Sequence, residues 1–153
     1  MSTIADRLSE LGLELPPVTK PVAAYVPAVV TGNLVYTAGQ LPFVNGTLAA
    51  TGKFGAGVDA AQGAELARIC ALNALAAAES VIGSLDRVTR VVKVVAFVAS
   101  ATDFTGQPGI ANGASELLGR LFGDAGQHAR SAVGVPVLPL DAPVEVELIL
   151  EFA

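Results

Sequence analysis

The sequence predicts an α+β protein: a mixed β-sheet of about six strands, two principal helices on one face of it, and an added N-terminal helix. Three observations carry this. Two tight-turn signals, Gly32-Asn33 and Asn45-Gly46, fall close together in an extended region and imply antiparallel hairpins. An alanine-rich helical stretch over residues 60–82 precedes a β-branched run over 88–99, and that order implies a crossover connection within the sheet. Residues 144–152 alternate between apolar and mostly charged positions, the mark of a strand with one buried face. Helices then pack as a layer on the sheet.

Taken in order, residues 3–13 form a short amphipathic helix, with Ile4, Leu8 and Leu11 at helical spacing and Asp6, Arg7 and Glu10 between them. Gly12 and Pro16-Pro17 stop it, and it is expected to cover part of the sheet. Residues 22–30 are extended, 34–38 form the return strand, and Gly39-Gln40-Leu41-Pro42 breaks it. In the long helix Leu66, Ile69, Cys70, Ala74, Ala77 and Val81 form the apolar stripe, with Glu65, Arg68 and Glu79 on the wet side. Gly83 ends it. Residues 88–99, apolar on both faces, make a central strand. A Gly/Pro loop is expected over 105–109, a second helix over 112–122 with Leu117, Leu118 and Leu121 inward, a turn over 123–127 and a strand over 130–135. In the last strand Val144, Val146, Leu148, Leu150 and Phe152 face one way, and Glu145, Glu147, Ile149 and Glu151 the other. No repeat or linker divides the chain, so residues 1–153 read as one domain, with 1–20 as helix and linker.

Composition bears on partners. Apolar residues make up 52% and charged residues 15%, more apolar surface than a single small domain hides. Self-association is the expectation. The longest candidate span, residues 91–101, is interrupted by Lys93 and falls far short of the ~20 residues a membrane helix needs. No signal peptide is read. The one cysteine, Cys70, suits a reducing compartment, so a cytoplasmic location is expected. The net charge is −5 with no basic cluster, which argues against gripping nucleic acid.

The common catalytic motifs are missing: no nucleophile elbow, phosphate loop, dinucleotide fingerprint or metal-spaced His/Cys cluster occurs. Metal binding is not expected. The single histidine, His128, is assigned to a loop at a subunit contact, with no Ser and Asp placed around it. Cys70 lies on a helical apolar stripe and reads as a buried small hydrophobe. Three candidates remain. Arg130 opens an apolar strand; it is either half of an ion pair with a glutamate of the last strand or a fork-shaped carboxylate receptor. Glu145 is either part of a solvated strand face or a carboxylate near Arg130 that orients a water. Tyr25 is either core or the wall of a cleft, offering a phenolic hydrogen bond.

Tyr25-Val26-Pro27, the run from Thr31 to Pro42, Ser84-Leu85-Asp86-Arg87-Val88, Asp103-Phe104, Asn112 with Glu116, Ala129-Arg130-Ser131-Ala132-Val133 followed by Leu138-Pro139, and Val144-Glu145-Val146-Glu147 come in an order that resembles the Rid (reactive intermediate deaminase, or YjgF-like) family, over residues 22–152. The N-terminal helix marks a longer branch. The resemblance implies a chorismate-mutase-like fold, a homotrimer with clefts between subunits, and a hydrolase of the 2-iminobutanoate/2-iminopropanoate deaminase kind. It implies no metal or organic cofactor. By position, Arg130 clamps the substrate carboxylate, Glu145 holds or activates the attacking water, Tyr25 and Asn112 line the pocket, Ala38 is a further substrate-binding position, and the backbone at Gly39 and Ala132 touches the reacting end. Ala38 stands where deaminases of the family often carry serine, Ala132 where they often carry cysteine, and the 106–110 loop looks longer than usual. Two other functions compete: a non-catalytic binder of small carboxylates, and the endoribonuclease or translation-inhibitor role attached to some relatives.

Overall fold

The computed structural model describes residues 1–18, 20–21 and 23–153. The expectation that an extended segment starts at Val22 lies outside the described residues. The main sheet has five strands: β1 (Ala28–Thr31), β2 (Leu34–Thr37), β7 (Val88–Ala99), β8 (Ala129–Val135) and β9 (Val144–Phe152), in the order β1-β2-β9-β7-β8. All neighbours are antiparallel except β7 and β8. Four short strands, β3 (Phe43–Val44), β4 (Thr47–Leu48), β5 (Lys53–Phe54) and β6 (Gly57–Val58), form two separate pairs. The expected six strands are therefore five in one sheet and four in small ribbons.

Both turn signals close hairpins. Thr31 pairs with Leu34 across Gly32-Asn33, with Gly32 at φ 57°. Asn45 and Gly46 sit at φ 51° and 80°, the left-handed pair that a two-residue turn needs to follow strand twist. This second hairpin stands outside the main sheet. β1 is shorter than expected, starting only after Pro27, which has no N–H to give a ladder. Tyr25 thus lies before the strand, not in it.

The helices are α1 (Ile4–Glu10), α2 (Gly63–Ile82) and α3 (Gln107–Phe122). α3 carries the chain from β7 to its parallel neighbour β8, as parallel pairing demands. α2 runs between β2 and β7, and β9 later fills the gap between those strands. Both lie on the face bearing Val35, Val94, Ala96, Val146, Leu148 and Leu150, all buried. α2 is buried on nearly every side from Cys70 to Ala78, because the sheet covers one face and α3 another. Val81, expected on the stripe, points to the third face and is exposed. At the crossing, Gly113 of α3 lies so close to Ala64 that a Cβ would come within 2.6 Å of Ala64 Cα.

Two expectations are corrected. α3 begins at Gln107, five residues before the expected start, so the loop expected over 105–109 is largely its first turn. Pro108 fits there because first-turn amides have no helical acceptor to lose. α1, N-capped by Thr3 in a capping box with Asp6, docks on the helical layer and not on the sheet. Ile4 N donates to Asp86 Oδ1 at 2.7 Å, and the Arg7 guanidinium donates to the Leu121 carbonyl at the end of α3. No helix among the described residues is long and apolar enough to cross a membrane.

Candidate functional site

Arg130 lies on β8, an edge strand with β7 as its one partner. It pairs with Val94, which points into the helical layer. Parallel partners share a face, so the Arg130 side chain leaves the sheet on the helix side, under the first half of α3. There it meets three acceptors: Asn112 Oδ1 at 2.8 Å, Ser115 Oγ at 3.2 Å and the Pro108 carbonyl at 3.4 Å. Positions 108, 112 and 115 recur at helical spacing on one face. All three acceptors are neutral. The ion pair with a last-strand glutamate is not formed: among the described residues the one ion pair is Arg68–Glu65. A guanidinium has five N–H groups. Both of those on Nη1 and one on Nη2 are used, leaving Nε–H and the second Nη2–H with no protein acceptor among the described residues. These are the parallel pair that fits a carboxylate.

Ser115 was not among the residues singled out in the sequence. Its signal lies in α3's true start: only a helix beginning at Gln107 puts Pro108, Asn112 and Ser115 in one row. His128 sits between the turn at Gly123–Gly126 and β8. Its Nδ1 lies 2.6 Å from the Gly126 carbonyl and its Nε2 2.9 Å from Ser115 Oγ. The expectation that no serine stands near His128 is thus corrected, while its second partner is a carbonyl and no carboxylate completes a triad.

A second group lies on the open face. Glu145 alternates with the buried Val144 and Val146 and so points away from the helices. Gln40 and Val146 exchange backbone hydrogen bonds at 2.8 and 3.0 Å, which lays Gly39 against the Glu145 side chain. A Cβ on Gly39 would come within 2.7 Å of the Glu145 carboxyl carbon, so a larger residue there would push the Glu145 side chain aside. Ala38, whose N–H donates to Pro27, joins this group, and the antiparallel hairpin brings the chain before β1, with the exposed Tyr25, to the same end of the sheet. Burial, and then the neighbouring Glu147, holds the Glu145 carboxyl above its ordinary value.

The structure therefore brings Arg130 and Asn112 together, with Ala132 two residues on along the same face, and separately brings Ala38, Gly39 and Glu145 together. It does not join the two groups within one chain. Glu145 pairs with Phe97, and Phe97 with Val133, on the open face; Arg130 lies on the other. Cys70 is fully buried, beside the Val144 carbonyl at 3.7 Å, and burial pushes its thiol well up, as expected of a packing residue. No group of three His, Cys, Asp or Glu among the described residues could hold a metal ion.

Comparison with known proteins places this architecture. Protein TCP17 of Trypanosoma cruzi is 42% identical over 149 residues, covering 97% of this chain and 93% of the relative. The structure of Atu1372 from Agrobacterium tumefaciens, a protein of unknown function, is 43% identical with a TM-score of 0.92, covering 98% of this chain and 92% of that one. A structure from Shewanella oneidensis described as "a putative endoribonuclease" is 33% identical with a TM-score of 0.95, covering 98% and 99%. Residues 5–152 match the family described as "YjgF/chorismate_mutase-like, putative endoribonuclease". The five-stranded mixed sheet, the two helices on one of its faces and a match over nearly the whole length lead to one conclusion: the chain belongs to the YjgF/chorismate mutase-like family.

Proposed function

We propose that the protein is a hydrolytic deaminase of 2-imino and enamine acids, releasing 2-keto acids and ammonia in clefts between the subunits of a homotrimer, each subunit a single YjgF/Rid-like domain with residues 1–20 as an appended helix and linker. The observation that carries this is the Arg130 guanidinium, braced by neutral acceptors and left with one bidentate edge free. A carboxylate on that edge gains two charge-assisted hydrogen bonds. Glu145 and Arg130 lie on opposite faces of one chain's sheet, so the complete site takes Arg130 from one protomer and Glu145 from its partner.

In the reaction, Glu145 accepts a proton from a water whose oxygen attacks the imine carbon. The C=N electron pair moves to nitrogen, and Glu145 hands it that proton, giving a carbinolamine. Glu145 then takes the carbinolamine hydroxyl proton and delivers it to the amine nitrogen as the carbon–nitrogen bond breaks, the C=O bond forms and ammonia leaves. A carboxyl held above its ordinary range suits both halves of this exchange. Imines hydrolyse readily, so positioning supplies most of what is needed. The site uses no metal or organic cofactor, and the protein acts in the cytoplasm.

The test is ketoacid release from enzymatically generated 2-iminobutanoate. Arg130→Ala should lose about 1.5–3 kcal/mol of substrate interaction, roughly a 10–100-fold fall in kcat/KM. Equal rates for wild type and Arg130→Ala end the proposal. Mixed trimers of Arg130→Ala and Glu145→Gln chains should recover about a quarter of wild-type activity, since random assembly pairs the two intact residues at one interface in four. The competing reading, a non-catalytic carboxylate binder, draws on Ala38, which offers no hydroxyl beside Gly39; ligand binding that survives Glu145→Gln with no turnover in wild type would favour it. Endoribonuclease activity is disfavoured by the net charge of −5.

A further inference from the structure

We propose that His128 is a positioning residue for Arg130, acting through Ser115: the neutral ring accepts the Ser115 hydroxyl proton at Nε2, and so turns a serine lone pair toward the guanidinium. This rests on the reading of Arg130 as the carboxylate receptor.

Hydrogen-bond counting gives the argument. His128 Nδ1 lies 2.6 Å from a carbonyl oxygen, which can only accept, so Nδ1 carries a proton. Ser115 Oγ has two partners among the described residues, His128 Nε2 at 2.9 Å and Arg130 Nη1 at 3.2 Å. The guanidinium can only donate. The Ser115 proton therefore has a single protein acceptor among the described residues, the Nε2 lone pair. A ring protonated at Nε2 would leave that hydroxyl proton without a partner in a half-buried place, which costs free energy. With Nε2 bare, every group is satisfied in one direction: Arg130 donates to Ser115, Ser115 to His128, and His128 to the Gly126 carbonyl.

The chain of bonds is anchored at its far end. Gly126 is buried, and a Cβ there would come within 2.9 Å of the Leu118 carbonyl carbon, so its backbone lies directly on α3. The same helix supplies Ser115, Asn112 and Pro108. His128 thus ties the loop before β8 to α3 and fixes the rotor of the one hydroxyl touching Arg130. With both Nη1 protons held, by Asn112 and Ser115, the guanidinium plane is set and its Nε/Nη2 edge stays free. Arg130 binds the acid; His128 and Ser115 decide which way its free edge points.

The experiment measures 2-oxobutanoate affinity by calorimetry in wild type, Arg130→Ala, Ser115→Ala, His128→Asn, His128→Gln and the double variant Ser115→Ala/His128→Asn. Ser115→Ala and His128→Asn should each weaken binding by roughly 3–10-fold, the loss of one neutral hydrogen bond. The double variant should be no weaker than Ser115→Ala alone, because the two residues act in series. Gln places an acceptor where Nε2 stands and should restore affinity to within about 2-fold, whereas Asn reaches only Gly126. Wild-type affinity in His128→Asn, or additive losses in the double variant, overturns the proposal. If wild type and Arg130→Ala bind the keto acid equally, the carboxylate reading itself is lost. The relay is then judged without ligand by nitrogen-15 NMR of the ring: a protonated Nδ1 with a bare Nε2 that responds to Ser115→Ala supports it, and a protonated Nε2 overturns it. That measurement also decides the matter if a His128 variant unfolds.

Discussion

Glu145 shows how one side chain couples the site to stability. Burial, then Glu147, raises its carboxyl above the ordinary value of 4.5. The folded protein keeps that proton over a pH range in which the unfolded chain has already lost it. Stability therefore falls as pH rises through the raised value, since the native state binds more protons there. Glu145→Gln removes the buried charge. In a subunit separated from its partners, where no guanidinium faces Glu145, the variant should melt higher than the unsubstituted chain at about pH 8 and level with it near pH 4, where the carboxyl is protonated in both states. If the proposed deaminase reaction is the one catalysed, its rate should rise with pH as the base form of Glu145 appears, and should be lost in Glu145→Gln at every pH. A separated variant subunit that melts lower than the unsubstituted one at pH 8 contradicts this account. Arg130 is legible as a candidate in the sequence because it is a lone charge in an apolar strand, whereas Glu145 shares its strand face with Glu147 and Glu151 and is marked chiefly by the family resemblance. Ser115 is not legible, since a serine on a helix carries no mark until its neighbours are known.

Among the elements, the α2–α3 crossing sets the position of the Arg130 cradle. Small residues make the approach possible: Gly113 rests on Ala64, and Gly63 lies against Ile110. Gly113→Ala would drive a methyl into α2 backbone and should cost about 3 kcal/mol, the upper end of overpacking, read as a lower urea midpoint with an unchanged slope. Because α3 would have to move, carboxylate affinity should fall with it. Asn73, a buried polar residue on α2, donates to the Leu41 and Phe43 carbonyls, each at 3.1 Å. It pins the loop that leads on from Gly39. Asn73→Ala should lose about 1–3 kcal/mol and slow turnover through Gly39 and Glu145, with Arg130-dependent binding kept. The start of α3 is hidden in the sequence because Gly106, Pro108 and Gly109 look like a loop; the N-cap and first turn of a helix tolerate all of them.

For the molecule as a whole, the sheet has one face under helices and one bare. Val29, Tyr36 and Val133 on the bare face remain 54%, 42% and 46% exposed, and β8 leaves an unpaired edge beside Arg130. Such a face calls for a partner. For the proposed trimer, light scattering should give three times the chain mass, and Val133→Glu should yield a smaller species that keeps its helices but lacks the proposed deaminase activity. A trimer that persists in Val133→Glu with full activity would place the contact elsewhere.

The residue order alone determined the α+β class, both hairpins, the limits of β7 and β9 and the family resemblance, because each depends on local periodicity, turn chemistry or a run of side chains. Tertiary structure alone decided that Val81 is wet, that α1 docks on α3, that Ser115 lies between His128 and Arg130, and that Arg130 and Glu145 leave opposite faces of one sheet. Those facts depend on strand register and helix rotation, which are set by packing between residues far apart in the chain.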